Sequence, residues 1–375
     1  MGMPSACETT IDATQARGAT LVLPGQTPEG QYILSVLLKR TYDIVPAAVC
    51  RRAGMDKALI PGDVFWDDPM NSSVRFESDF IPFKLATDVI LNGKAYAPRG
   101  IPATSCVVSL QVGDSRKQIL VTGDRVARFV ENGAPEFTEP SPFLNMDLRY
   151  ERAYGGIDVY SDKLASYPYP RNPMGRGFVV TNSARCVNNL ALPNLEEPDT
   201  PLTPEQLCLG DYKRWEQQPL PAGFGWFPKT WLPRAQLAGI LPADRATEQE
   251  LRQAYAKLIP DTGQREAYLK YGLPDMDFRF FNGASRGLVF PYLTGGEQVV
   301  AENLSPEGST SFQLPRDAPR LGLDIGSGVQ EPPVVMHTVM IRLEDRQVDV
   351  VWRGAILYPG PDWLPQMRKM EVSVA

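Results

Sequence analysis

Proline constrains this chain more than any other residue type. There are 35 prolines in 375 positions, and 31 glycines beside them, where about 5% proline is usual. Each proline fixes φ and removes an amide donor, so it interrupts a helix or a central strand. A chain punctuated this often favours many short strands joined by stiff loops over long helices. The expected fold is therefore β-rich α+β: mostly antiparallel sheets, sandwich- or barrel-like, with one helical insert.

Alternation locates the strands. Across residues 31–44, Tyr32, Leu34, Val36 and Leu38 share one face, and Ile33, Leu37 and Lys39 share the other. Both faces are apolar in the middle, which predicts a central place in a sheet. Residues 106–112 and 117–122 read as a hairpin turning at Gly113. Short strands are expected at 287–293, 298–304 and 310–314. The clearest hairpin is the last, where Val339, Ile341 and Leu343 alternate with Met340 and Arg342. After a turn at 344–346, Val348, Val350 and Trp352 alternate with Asp349 and Val351.

Residues 201–272 differ in character. Thr247 to Glu250 form a capping box, in which the Thr hydroxyl accepts from the third amide and Glu250 reaches back. Leu251, Ala254, Tyr255 and Leu258 then follow at amphipathic-helix spacing, with Pro260 past the end. A second short helix is expected at 264–271. The division is thus an N-terminal β-rich part (1–200), a helical insert (201–272) and a C-terminal β-rich part (273–375), packed as one compact domain. The insert is led in by GFGWFPKTWLPR, residues 223–234. Its Phe224, Trp226, Phe227 and Trp231, with Tyr255 of the helix, are either core beneath the insert or an exposed aromatic surface for a protein partner.

Several function classes find no support in the residues. The formal charge is -6, with no Lys/Arg stripe, so nucleic acid is not expected as a partner. No basic amphipathic helix and no bilayer-length apolar run is present, so no membrane partner is expected either. The N-terminal stretch lacks the pattern of a secretory signal, and a cytoplasmic location follows as the expectation. There is one histidine, His337, and five cysteines, at 7, 50, 106, 186 and 208, form no C-x-x-C pair. No cofactor and no metal centre is expected from that set. The glycines of residues 172–178 are followed by Phe-Val-Val-Thr, which reads as a strand and not as the helix a phosphate cradle needs.

The stretch 75–102 crowds Asp79, Lys84 and Asp88 into a segment that reads as half buried, where charges need partners. The structural expectation is that ion pairs knit it into the fold, with Asp79 and Asp88 neutralised by Lys84. The functional alternative is a polar cleft. Asp79 with Asp88, or Asp147 with Glu151, can also be read as an acid/base pair of a hydrolase acting on a sugar, chemistry that needs no histidine.

Three segments in order, FESDFIPFKLATDVILNG, YERAYGG and NPMGRGF, resemble a bacterial domain family of unknown function encoded in type VI secretion clusters beside VgrG spike and PAAR tip proteins. DFRFFNGAS, YLTGGEQVVAENLSPEG and TVMIRLEDRQVDVVWRG resemble it as well, so the likeness spans nearly the whole chain. The residues that carry it are mainly Asp79, Lys84, Thr87, Asp88, Glu151, Arg152, Gly155, Gly156, Asn172, Pro173, Gly175 and Gly177, as structural or as binding residues. The resemblance implies an adaptor or loading chaperone that holds a toxic effector and places it on the VgrG/PAAR spike by surface binding, without catalysis. A structural spike or baseplate component is the alternative, beside the hydrolase.

Overall fold

The computed structural model describes residues 19–129, 135–159, 167–180, 189–207, 212–239, 276–366 and 371–374. Strand dominates, at 42% against 9% helix, the balance that the prolines require. Among the described residues the one α-helical segment is a single turn, Pro204–Leu207. The helices expected at 247–260 and 264–271, with Tyr255, lie outside the described residues.

The centre of the molecule is a seven-stranded sheet. Its order is Ala19–Gln26, Tyr32–Asp43, Gln347–Leu357, Val334–Arg342, Thr87–Leu91 and Val289–Phe290, with Arg51–Arg52 paired to the end of Tyr32–Asp43. Every pairing is antiparallel except that of Thr87–Leu91 with Val334–Arg342, which is parallel. Tyr32–Asp43 is central, as its two apolar faces foretold. A second, five-stranded antiparallel sheet runs Leu195–Glu196, Ser115–Thr122, Ser105–Val112, Gln298–Glu302 and Ser309–Gln313. Its central hairpin turns at Gly113 and Asp114, because Val112 pairs with Ser115.

One hydrophobic cluster lies between these sheets. The central sheet contributes Leu34, Val36, Leu38, Val339, Ile341, Val350 and Trp352, and the second sheet contributes Val108, Leu110, Ile119, Val299 and Phe312. The sandwich-like half of the expectation therefore holds. The barrel-like half is corrected, because the sheets are not closed into a barrel.

Strict alternation sends the other residues of the central strands to the far face. Lys39 and Thr41 of one strand, and Asp349 and Val351 of its neighbour, are directly paired there. Thr338, Met340 and Arg342 join them, and the phase is reset by a register shift between Met336 and Thr338, at His337. This far face carries charge, yet Lys39, Asp349, Thr338 and Arg342 are all more than nine-tenths buried. The segment from residue 53 to residue 86 and the aromatic lead-in cover it.

Candidate functional site

Asp88 ties three of the ordered segments together. It stands on Thr87–Leu91, which is buried along its whole length. Its carboxylate accepts from Lys84 Nζ at 2.7 Å, from Asn282 Nδ2 at 3.1 Å and from the amides of Gly283 and Ala284 at 3.1 and 3.2 Å. Lys84 also donates to Thr338 Oγ1 at 3.0 Å and lies 5.0 Å from the centre of the Trp226 ring. Thr87 Oγ1 donates to the Met336 carbonyl and accepts from the Leu293 amide. Four polar partners for one buried carboxylate is the satisfaction that burial demands.

The second and third motifs form one knot. Tyr154–Gly155 runs parallel to Arg176–Gly177. Asn172 Nδ2 donates to the carbonyls of Tyr150 and Tyr154 at 2.8 and 3.1 Å. The glycines are needed because backbone occupies the space a side chain would take. A Cβ on Gly155 would lie 2.1 Å from the Asn172 carbonyl oxygen, and φ there is +150°. On Gly156 it would lie 2.7 Å from the Gly175 oxygen, on Gly175 2.6 Å from the Ala153 oxygen, and on Gly177 2.9 Å from Pro193. Of the strand expected over 178–181, Thr181 lies outside the described residues and only Val179 carries a β-bridge among the rest; the ladder here is Arg176–Gly177. Glu151 anchors the knot outward by accepting from the amide and hydroxyl of Ser73 at 2.6 and 2.9 Å. Arg152 donates to Asn194 Oδ1 at 3.1 Å, and Pro173, next to Asn172 in the chain, is half-buried.

The aromatic lead-in does not form an exposed surface. Phe224, Trp226 and Trp231 are 0%, 3% and 4% exposed, which leaves no ring face for a partner. Trp231 stands edge-on to Tyr150 of the YERAYGG motif, 5.6 Å between ring centres, and to Phe227 at 5.5 Å. Gly223 makes room for the same tyrosine, since a Cβ there would meet its ring at 2.7 Å. Phe227 alone of the four is half-buried.

Asp79 and Trp226, distant in sequence, meet at a cavity of about 390 Å³ on the charged face of the central sheet. Lys39, Thr338, Met340, Arg342, Asp349 and Val351 make its floor. Lys57, Ala58, Ile60, Arg75, Phe76 and Glu77 complete the lining with Asp345. Lys39 Nζ lies 2.7 Å from Asp79 Oδ2, which also accepts from the Ile60 amide at 2.8 Å. The neutralising partner of Asp79 is thus Lys39 and not Lys84, a correction to the sequence reading. Arg342 forks onto Asp349 at 2.9 and 3.0 Å and also pairs with Asp345, while Thr41 Oγ1 donates to Asp349 at 2.8 Å. Glu77 is gripped by Arg234 at 2.7 and 2.8 Å and by Lys229 at 2.9 Å. Burial pushes the Glu77 carboxyl up, but the charges of Arg234 and Lys229 and the Arg234 hydrogen bonds outweigh it and hold it down at about 2.

The carboxylate pairs proposed for hydrolysis are each engaged separately. Asp79 faces the cavity and Lys39, whereas Asp88 is fully buried against Lys84. Glu151 is spent on Ser73, and Asp147 lies 3.9 Å from Arg149. No group of three or more His, Cys, Asp or Glu side chains is placed to hold a metal among the described residues. His337 is buried beside the strand irregularity, and burial, with the charges of Lys84 and Arg353, takes its pKa well below the ordinary value.

A larger cleft, about 880 Å³, opens elsewhere. Phe227 and Pro233 of the lead-in, with Leu220, Pro221 and Leu237 on either side of it in sequence, give it apolar lining; Arg116, Lys117, Arg171, Arg279 and Arg286 line it with Glu197 and Asp199, and Lys117 Nζ lies 3.6 Å from Glu197. Arg171 stacks on Trp215 at 4.9 Å and donates only to neutral groups, and Arg286 has no ion pair among the described residues. The polar cleft that the sequence offers as an alternative at 75–102 has its counterpart in the first cavity, which Arg75, Phe76, Glu77 and Asp79 help to line; the larger cleft was missed. A further local signal for the cavity was polar residues, Lys39, Arg342 and Asp349, at alternate positions of otherwise apolar strands.

Comparison with known proteins gives one match. A family described as "Uncharacterized protein conserved in bacteria (DUF2169)" covers residues 29–353. No curated protein and no solved structure matches.

Proposed function

Since the chain belongs to that uncharacterized bacterial family, whose description names no activity, we propose from the residues that it is a type VI secretion adaptor. On this reading it binds a cognate toxic effector in the cytoplasm and hands it to the VgrG/PAAR spike, by surface complementarity and without chemistry. The ordered motifs supply the first support. They resemble the family of secretion clusters, and Asp88, Asn172 and the four glycines are used to build a scaffold.

The observation that carries the reading is the 880 Å³ cleft. An adaptor must seat a protein segment and later release it. Apolar anchors beside charged groups suit this, because buried apolar contacts supply affinity while charge steers encounter and sets specificity. Arg171 and Arg286, uncompensated among the described residues, favour an acidic effector segment. On this reading the lead-in reaches the partner through Phe227, flanked by Leu220 and Leu237, and not through its tryptophans.

The test is co-purification with the toxin encoded beside this chain, using the parent, Arg286→Glu and Leu220→Asp. Both positions lie on the cleft wall, so melting temperature should be kept while toxin capture falls. If capture is unchanged in both, the effector sits elsewhere. If the parent captures neither the toxin nor a spike protein, the adaptor reading fails.

A further inference from the structure

On the far face of the central sheet and in the segment that covers it, buried charges come in opposite pairs. Lys39 has Asp79, Lys84 has Asp88, Arg342 has Asp349 and Glu77 has Arg234. Arg353 is the exception. It stands on Gln347–Leu357, paired with Leu37 and Val335, and is 8% exposed. It enters no ion pair with the described residues. Its one hydrogen bond runs from Nη2 to the Tyr292 hydroxyl and is 3.4 Å long, and Nε is buried without an acceptor. Nη1 has no partner among the described residues either but, unlike Nε, is not sealed from solvent. Burial lowers the pKa of the group, and the Tyr292 hydroxyl offsets this only in part.

Aromatic rings surround this cation. Its Cζ lies 4.7 Å from the centre of the Phe83 ring and 6.0 Å from that of Tyr292. Phe278 stands edge-on to Phe83 at 5.7 Å, and Phe281 is 5.7 Å beyond Phe278. All four rings are half-buried, so each keeps some face in water. Ring faces hold a guanidinium by its plane and leave its N–H edge unspent. A largely desolvated cation without a counter-charge costs free energy, which an incoming carboxylate returns. We propose that this is a docking surface for a protein segment that carries a carboxylate between apolar side chains. The carboxylate takes Nη1 of Arg353, and the flanking side chains pack on Phe83, Phe278 and Tyr292. The rings spread away from the charge, an apolar surround that a compact free anion leaves wet and a peptide covers. Arg353 lines neither the cleft nor the 390 Å³ cavity, so this surface stands whether or not the cleft seats an effector.

The guanidinium gives a direct readout. In ¹H–¹⁵N spectra of the full chain, the Arg353 Nε–H peak, assigned through Arg353→Met, should shift saturably on adding the capped peptide acetyl-Leu-Glu-Leu-amide. The same peptide with Gln for Glu should leave it in place. Arg353→Met should melt at or above the parent temperature, because it deletes a charge that the fold does not compensate. It should also weaken the peptide about tenfold or more, read at the Leu85 amide, the factor expected when a charge-assisted contact is lost. Arg353→Lys keeps the charge without the fork; it supplies the assignment if the Met variant does not fold, and should bind more weakly than the parent. If the Glu peptide leaves the peak unmoved, or the Gln peptide moves it equally, no carboxylate docks here. If sodium acetate moves it as far as the peptide at equal concentration, the site takes a free anion and the protein surface is refuted. If Arg353→Met melts below the parent or does not fold, the guanidinium holds the fold together and the proposal is overturned.

Discussion

Lys84 and Asp88 stand four residues apart with Nζ 2.7 Å from the carboxylate, and both side chains are sealed from solvent, at 2% and 0% exposure. Neither can be removed alone without stranding the other. Asp88→Ala or Lys84→Met should each cost about 3–5 kcal/mol, the usual penalty for an orphaned buried charge. The double variant should recover part of it. Urea unfolding of the three proteins measures this, and a single variant that melts like the parent would contradict the pairing.

The glycine knot predicts a sharp contrast. Gly155→Ala forces a Cβ to within 2.1 Å of a backbone oxygen at a φ of +150°, so the fold must shift. Overpacking of this kind costs typically about 1–3 kcal/mol, with backbone strain added. Gly62→Ala meets nothing within 4 Å and should be neutral or slightly stabilising. Thermal melts of the pair provide the comparison.

Trp231→Ala should destabilise by about 3–5 kcal/mol, as for other buried aromatics. The ring is packed between Tyr150 and Phe227. The check is whether any loss of partner capture tracks loss of folded protein. A variant that stays fully folded and still loses its partner would return the lead-in tryptophans to the surface.

Stability should fall on the acid side in two steps. His337 is neutral in the fold, with its pKa depressed by burial and by Lys84 and Arg353. In the unfolded chain it titrates near 6.5, so protonation favours unfolding as pH drops below that value. The stabilisation is complete above about pH 6.5 and is lost downward at about 1.4 kcal/mol per pH unit for one proton. Glu77 acts lower, its stabilisation present above its ordinary 4.5 and lost as pH falls toward about 2, on the order of 3 kcal/mol in all. Denaturant midpoints between pH 7 and pH 5 for the parent and His337→Gln test the first step. The variant should show the shallower slope.

The strands were legible because period-two alternation is a local signal, and Tyr32–Asp43 and the last hairpin show it plainly. The structural role of the 75–102 charges was legible too, since buried charge needs a partner. Which partner was not. Lys39 reaches Asp79 across forty positions of sequence, and Arg342 meets Asp349 across a turn on the face opposite the core. Local charge order suggests Lys84 for both aspartates, because sequence neighbours are all it can weigh. The burial of Trp226 and Trp231 was hidden for a similar reason. A stretch rich in Gly and Pro carries no periodicity, so nothing local says that Tyr150 lies across the path of Gly223. The register shift at His337 has no residue signature either, yet it sets which of Thr338 to Arg342 face the cavity.

The strand order of the central sheet has a consequence for synthesis. Ile33 is paired with Leu357, and Asp43 with Gln347, so Tyr32–Asp43 leaves the ribosome more than 300 residues before the strand it pairs with. At about 5–20 residues per second the wait is on the order of tens of seconds. Throughout it, Leu34, Val36 and Leu38 have the Ala19–Gln26 strand beside them and no opposite edge. Contacts of such long range also make folding intrinsically slow once the chain is free. Messages truncated before the last hairpin should therefore yield aggregates instead of a smaller folded protein, because Tyr32–Asp43 then lacks the strand it pairs with.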